Sequence, residues 1–526
     1  MLTQRALVFS RWLVGHMRGI GKPGQREAEA ALARRREYGL VLALLLAIAA
    51  VGMGYALGEV LPSPKGDLVT SLLTMSVFVL LIVADPFAGL LAWLATAPLT
   101  KYLFLNIDMG AHVPDLTLNR LCAVMMLAVV VANVARRKGT LPRIETLDFL
   151  LILTAVGIGI SVPAAGNQVN AFQLYVDSLI IPFFTYYLVR TLVRKPADVD
   201  RILWAAFIMV IYSALITIGD QVFGLYIFRA DEVGVLDMYS EHVRRVNSIY
   251  GNPATLATNL TLVVPFMYGY AIFHWREQRK LMALISLISL AGILLLVVRT
   301  SWLVTLIGIL IIVFLHPLVQ ARIRWTVLFA LAVSSAWIVY NINTVLRLFS
   351  DSHVVSERVM SVGPIFSRLV LYQAAWTMIS ENPLTGHGLD NFARVYMRYL
   401  MPLGSISDVF AWGAGNPHNT VIYILVSSGL VGAVPYISLF LGILVVSVLR
   451  FRKARTIKER SLIVSLWGTL AAYFGTGMTE DLIFHYYAAV LFFALVAAVI
   501  GTSEKIWVAP EPVARRRANG SGVDSG

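Results

Sequence analysis

The chain has 526 residues, 58% of them hydrophobic and only 14% charged, and its mean hydropathy of +0.75 reflects more apolar surface than a soluble domain can bury. A formal net charge of +13 would suit nucleic acid, but the basic residues stand in short clusters between apolar runs, which points to membrane topology and away from nucleic acid as a partner. The single cysteine, Cys122, allows neither an intrachain disulfide nor a cysteine zinc site and reads as a small buried hydrophobe.

Residues 1–38 form a basic tail. Arg5, Arg11 and Arg18 interleave with Leu7, Phe9, Trp12 and Leu13, a pattern that suits either a helix lying on an anionic membrane surface or a solvated tail. Arg34, Arg35 and Arg36 precede the first apolar run, 39–58, more in the manner of a retained signal anchor than of a cleaved signal peptide. Further runs lie at 68–84, 86–103, 115–134, 148–164, 174–193, 202–219, 253–274, 281–298, 301–316, 325–341, 418–449, 461–477 and 485–502. Stretches this long and continuous mean helices, because barrel strands alternate and are half the length. The predicted fold is all-α, a polytopic transmembrane bundle of about 12–14 spans filling residues 39–502, followed by a disordered tail at 503–526.

The charges provide an internal check. With a cytoplasmic N-terminus, the inside loops receive Arg136 to Lys138 with Arg143, then Arg190, Arg194, Lys195 and Arg201, then Arg276, Arg279 and Lys280. Arg322 and Arg324 follow, and finally the cluster from Arg450 to Arg460. Apart from Arg244 and Arg245, every basic cluster falls on one side, and an even span count puts both termini in the cytoplasm. Two outside segments then stand out, Asp220–Tyr250 and the long loop 342–417. In that loop SRLVLYQAAWTMI, from Ser367, places Leu369, Leu371, Ala374, Ala375 and Met378 at near-helical spacing, which predicts a helix over the outer face. No repeat of fixed period is visible, which argues against a solenoid.

Four groups at span ends can carry chemistry. In SIYGNPATLATNL, Asn252-Pro253 opens a helix beside Arg244 and Arg245; this is either an anion site at a helix start or an ordinary cap with headgroup-level arginines. Arg299, in VVRTSW, occupies a turn too short for an exposed loop and is either a snorkelling anchor or a permanent positive charge in a site. Arg368 opens the loop helix and is followed by ENPLTGHGLDNF, where Pro383, Gly386 and Gly388 suggest a defined turn and His387 and Asp390 read as its solvated residues. Asn416, His418 and Asn419 stand where the long loop re-enters the membrane, on the same side as Arg299. A His there can take a proton from a hydroxyl within hydrogen-bond reach. A Walker-type loop, HExxH and zinc-ligand spacings are all missing from the sequence, so no cofactor and no metal is expected.

In these segments the chain resembles the O-antigen ligase and O-antigen polymerase family of bacterial inner-membrane glycan transferases. The resemblance rests on NSIYGNPATLAT, RTSW, SRLVLYQAAWTMISENPLTGHGLDNF and GNPHNTVIYILVSSGLVG, in that order, across residues 244–449. It implies an integral glycosyltransferase C-like fold, and transfer of an undecaprenyl-diphosphate-linked glycan to an acceptor at the periplasmic face. It implies His418 as the base that activates the acceptor hydroxyl, and Arg299 and Arg368 as the residues holding the diphosphate. Arg245 or the adjacent Arg244 would contribute to binding, with Asn252, Asn416 and Asn419 as further binding candidates. Members often carry an acidic residue soon after the His, where this sequence has Ser427, Ser428 and Gly429.

The chemistry agrees with the residues. A departing diphosphate gains negative charge, which fixed guanidinium groups stabilise, and attack opposite it would invert the anomeric centre. The expected activity is therefore an inverting, metal-independent polymerase or ligase, with a second lipid-linked repeat, lipid A core or a protein as acceptor. Chain polymerisation is the favoured form, and membrane lipids and a chain-length regulator are further candidate partners. The alternative is a transporter or flippase of lipid-linked glycans, which requires polar groups at mid-membrane and paired broken helices; here the polar groups collect at the outer ends of spans. A membrane scaffold would leave the long loop without a role.

Overall fold

The computed structural model describes residues 64–101, 106, 107, 110, 113–136, 142–225, 252–341, 363–400, 415–502 and 504–507. The basic tail and first apolar run, Arg244 and Arg245, residues 342–362 and 401–414 of the long loop and nearly all of the C-terminal tail lie outside these residues.

Among the described residues the chain is helical but for one short antiparallel pair, Asn106–Ile107 with Leu116–Thr117. The helices are α1 (Pro64–Ala84), α2 (Pro86–Thr96), α3 (Leu118–Ala135), α4 (Thr146–Gly159), α5 (Gln168–Tyr175), α6 (Ile181–Leu192) and α7 (Pro196–Phe223). They continue with α8 (Pro253–Leu295), α9 (Arg299–Leu315), α10 (Ala321–Tyr340), α11 (Gly363–Glu381), the short α12 (Phe392–Val395) and α13 (Met397–Leu400), α14 (Thr420–Lys453), α15 (Ile457–Gly477) and α16 (Tyr486–Val496). Among the described residues six helical stretches are long and apolar enough to cross a membrane, and four shorter ones are apolar. This is a polytopic membrane bundle, as the hydropathy requires.

Several helices start where proline stands just after a cap. Asp85 accepts from the N–H groups of Phe87 and Ala88 at 3.0 and 3.3 Å ahead of α2, and Asn252 accepts from Ala254 at 2.8 Å ahead of α8. Proline costs nothing at such a start because its missing donor would be an orphan. The α8 stretch is interrupted at Gln278 (φ −134°, ψ 33°). Beyond it the chain doubles back, since a Cβ on Gly292 would lie 3.7 Å from Leu260 Cδ1, whereas a straight helix separates those residues by roughly 48 Å. The two runs 253–274 and 281–298 are thus an antiparallel hairpin.

The hairpin packs against α7, α9 and α15. Small residues let the backbones approach, for a Cβ on Gly308 of α9 would lie 3.1 Å from Pro265 Cγ and 3.5 Å from the Gly468 carbonyl of α15. Near Pro265, Thr469 of α15 donates to the Leu262 carbonyl at 2.7 Å, a hydroxyl bond between helices of the kind that ties membrane bundles together.

Two buried arginines tie the far end of the bundle. Arg190, at the end of α6, bonds Asp148 of α4 and donates to the Gly501 carbonyl at 2.9 Å. Arg450, near the end of α14, pairs with Glu459 at 3.2 Å and donates to the Thr502 carbonyl at 2.8 Å. Both serve carbonyls at the end of the last membrane helix, which would otherwise be orphans.

Candidate active site

The opposite end of the bundle is organised by a break in α14. Gly429 adopts φ +59° and ψ −158°, so the helix stops donating and accepting internally, and the loop after α11 fills the gap. His387 and Gly388 donate to the carbonyls of Val426 and Ser427 at 2.8 and 2.9 Å, while Leu430 and Val431 donate to Pro383 and Leu384 at 2.9 and 3.1 Å. Gly386 (φ +70°) is needed at this splice, because a Cβ there would fall 2.5 Å from the Ser427 carbonyl carbon. The sequence marked NPLTGHG as a defined turn; the structure shows that its partner is the broken helix. His387 has a structural place, its Nε2 lying 2.8 Å from the Met378 carbonyl at the end of α11. Ser427, Ser428 and Gly429 form the break itself and supply no acid.

The splice carries α11 against α14, with Leu371, Ala374, Ala375 and Met378 buried. Leu369, expected on the same face, is 55% exposed, because the buried stripe runs through Ser367, Leu371, Ala374, Ala375 and Met378 and a position two residues from Leu371 points to the opposite side of the helix. Arg368 of α11 reaches Glu480, its guanidinium nitrogen 3.6 Å from Oε1. The other carboxylate oxygen of Glu480 lies 3.6 Å from His418 Nδ1. Glu480 therefore stands between the loop-helix arginine and the loop-end histidine.

His418 is placed by its backbone. It has φ +51°, a conformation few non-glycine residues adopt, and its N–H donates to Asp481 Oδ2 at 2.9 Å. The next N–H, of Asn419, donates to Asp481 Oδ1 at 2.8 Å. Asn419 caps α14, accepting from Val421 and Ile422 at 3.0 and 3.1 Å, and donates through Nδ2 to Met478. Thr420 donates to the Glu480 carbonyl and accepts from Leu482, both at 2.9 Å. The segment 478–482 is thus sewn to 418–420 by side chains from both. Asn416, two residues before His418, is half-buried.

Arg299 opens α9 after a turn with Val297 at φ +51°, an outlier for a β-branched residue. The rest of RTSW holds this turn: Ser301 donates to the Val298 carbonyl at 2.7 Å, and Trp302 Nε1 to Ile293 at 3.2 Å. Arg299 lies near enough to Arg368 for their charges to interact. Asn252 serves as the cap of α8, and one turn into that helix Thr258 meets His485, with 3.5 Å between the hydroxyl and Nδ1.

The electrostatics divide the titratable groups. Burial opposes the charge of His418, but the Glu480 carboxylate outweighs it and lifts the imidazole above its ordinary value. Burial would also raise Glu480, yet His418, His485 and Arg368 hold it below the usual carboxylate range. Asp481, spent on two backbone amides, is pushed up by burial to about 6. The result is a basic imidazole backed by an ionised carboxylate, with two guanidinium groups alongside; such a set can take a proton from a hydroxyl and hold an anionic leaving group.

Sequence reasoning brought together His418, Arg299 and Arg368 and missed Glu480, Asp481 and His485. Their signal was two adjacent carboxylates in TGMTED, at the His418 end of two spans. Residues 283–437 match the family model described as O-Antigen ligase, a region that holds Arg299, Arg368, His418 and the break at Gly429 but ends before Glu480. No curated protein matches the chain. Residues 283–437 thus form an O-antigen ligase domain, which marks the protein as a membrane glycosyltransferase whose chemistry is lipid-linked glycan transfer of the ligase and polymerase type.

Proposed function

We propose that this protein transfers an undecaprenyl-diphosphate-linked glycan to an acceptor sugar at the periplasmic face of a bacterial inner membrane, with both termini in the cytoplasm. Polymerisation of a surface or exopolysaccharide is the form we favour over ligation to lipid A core. The observation that carries the reading is the position of Glu480 between His418 and Arg368, at 3.6 Å from each.

In this reading Nδ1 of His418 faces the carboxylate, which leaves Nε2 to accept the proton of the attacking hydroxyl. The acceptor oxygen forms a bond to the anomeric carbon as the bond from that carbon to the diphosphate breaks. The electron pair leaves with the diphosphate, whose growing charge is met by Arg299 and Arg368, and the centre inverts. Positively charged residues at the far end of the bundle, such as Arg190, Arg201 and Arg450, support a cytoplasmic location for that end.

The test is a deletion strain complemented with wild type, His418→Ala, Glu480→Gln or Arg299→Ala, with membrane levels matched. Loss of long glycan with lipid-linked repeats accumulating on the periplasmic side is the expected result. Wild-type glycan from His418→Ala would remove the base assignment, and repeats trapped on the cytoplasmic side would replace transfer by flipping.

A further inference from the structure

Behind the histidine lies a cavity of about 250 Å³, lined by Asn170, Gln173, Asp177, Asp390, Phe484 and Tyr486 among others. Arg299, Arg368 and His418 do not belong to its wall. At roughly 30 Å³ per water it holds about eight, a volume that suits one pyranose ring rather than a chain.

Three elements form this cavity, and each is fixed to the histidine segment. Between α5 and α6 the helix passes through a π turn, Val176–Ile180, a feature that often marks functional positions. That turn presents Asp177, whose two oxygens are held by Arg120 at 2.9 and 2.7 Å, while Ser178 donates to the Ile483 carbonyl. Ile483 and Phe484 belong to the short 3-10 turn Leu482–Phe484 that follows Asp481. On the third side Asp390, at φ +60°, donates its N–H to the Tyr423 hydroxyl at 3.2 Å. Tyr423 in turn packs edge-on against Phe484, with 5.3 Å between ring centroids, and its N–H donates to the Asn419 carbonyl at 2.8 Å. One layer of aromatic side chains thus separates the cavity from the segment that positions His418.

The lining is chemically opposite to the arginine side. It offers two carboxylates, two carboxamides and aromatic rings, which accept from and donate to hydroxyls and cover the apolar face of a sugar ring. A diphosphate would be repelled by Asp390, whereas the hydroxyl-rich end of a glycan would be held. Asp177 is neutralised as a charge by Arg120 but keeps lone pairs on both oxygens, so it is preorganised as an acceptor.

We infer that this cavity is a binding site for a sugar of the acceptor glycan set back from the reacting hydroxyl, which must itself reach His418, with Asp390 and Gln173 as its hydrogen-bonding contacts and Tyr486 as its apolar platform. The inference rests on the proposed transfer for the word acceptor, but sugar binding itself can be measured without any reaction. The arrangement separates the substrates by charge: lipid diphosphate on the Arg299 and Arg368 side, neutral sugar on the carboxylate side.

The test uses the full-length protein in lipid nanodiscs and a tritiated repeat oligosaccharide, released by mild acid from lipid-linked repeats of the deletion strain, in equilibrium dialysis. Saturable binding is expected for wild type and for Arg299→Ala, with affinity weakened at least tenfold in Asp390→Asn and Gln173→Leu. Asn tolerates the left-handed backbone at position 390, and position 173 lies in α5, where Leu is a good helix former, so the two variants probe the cavity from separate elements. Absent binding to wild type, wild-type affinity in both cavity variants, or loss in Arg299→Ala instead would overturn the inference. A wild-type protein that binds the oligosaccharide yet transfers no glycan from lipid-linked donor would overturn the transferase proposal and leave the sugar site standing.

Discussion

Asp481 grips His418 by the backbone and leaves its ring to Glu480: the Asp481 carboxylate accepts from the His418 N–H at 2.9 Å and, through its second oxygen, from Asn419 at 2.8 Å. Two consecutive acids therefore do different jobs. One fixes the left-handed turn from which the imidazole projects, and the other sets the imidazole's proton affinity.

Removing the backbone grip should cost stability as well as rate. Hydrogen bonds to a charged group contribute roughly 1.5–3 kcal/mol each, so Asp481→Ala should unfold at a lower temperature and lose activity mainly in kcat. Asp481→Asn, which keeps one acceptor oxygen, should fall between it and wild type. The pH dependence has a definite sign. Since Asp481 holds its proton more tightly when folded (about 6 against an ordinary 3.8), the folded state binds the extra proton between those values. Its contribution to stability is present below 3.8 and is lost as pH rises through about 6. Thermal melts of Asp481→Asn from about pH 4 to 6.5 should show a shallower fall with pH than wild type; parallel curves would reject the assignment.

Glu480 should appear in the pH–rate profile. A base must be neutral, and the imidazole of His418 is lifted above 6.5 by Glu480, so kcat/KM should climb with pH through an inflection above that value. In Glu480→Gln the carboxylate is gone, and the inflection should move down while the plateau rate drops. His418→Ala should lose roughly 10²–10⁴ in rate and the inflection altogether. An unmoved inflection in Glu480→Gln would show that the titrating group is not His418.

How much of this was legible beforehand depended on whether the signal was local. The helices were, because a run such as 202–219 carries its own apolar length, and so was the hairpin at Gln278, because Arg276, Arg279 and Lys280 interrupt the hydropathy. His418 stood out for the polar residues on either side of it. Its acidic partners are remote in sequence, Asp481 standing 62 positions after Asn419, and although the short turn after Lys453 returns α15 to the His418 end, hydropathy does not say which residues meet there. Close to the histidine in sequence there are only Ser427 and Ser428 where an acid was expected. The role of Gly429 was hidden likewise, since a glycine inside an apolar run looks like any other until its neighbour Leu384 is seen.

The splice at Gly429 should be intolerant of a single methyl group. At Gly386 an alanine would both adopt a left-handed backbone, costing about 1–2 kcal/mol, and press its Cβ to 2.5 Å from Ser427. Gly386→Ala should therefore destabilise α11 and displace Arg368, lowering both thermal stability and activity. Gly224 is the control, being left-handed at φ +63° with no described atom within 4 Å of where a Cβ would lie. Gly224→Ala should show the backbone cost alone, and equal losses at the two positions would mean that the splice carries no energy of its own.

The two ends of the bundle should separate stability from chemistry through their arginines. Arg190 has only 2% of its side chain exposed and pairs with Asp148, so Arg190→Ala leaves a buried carboxylate without its partner, a loss typically of about 3–5 kcal/mol. Less protein should then reach the membrane, while transfer per folded molecule stays near wild type. Arg299→Lys presents the reverse case. It keeps the charge but gives up the planar fork that suits two phosphate oxygens, so under the proposed role of Arg299 abundance should be normal and the donor KM should rise. Quantitative membrane immunoblots alongside donor titrations distinguish the two. Normal donor KM in Arg299→Lys would place the diphosphate elsewhere, and reduced transfer per folded molecule in Arg190→Ala would mean that the far end of the bundle is coupled to the site.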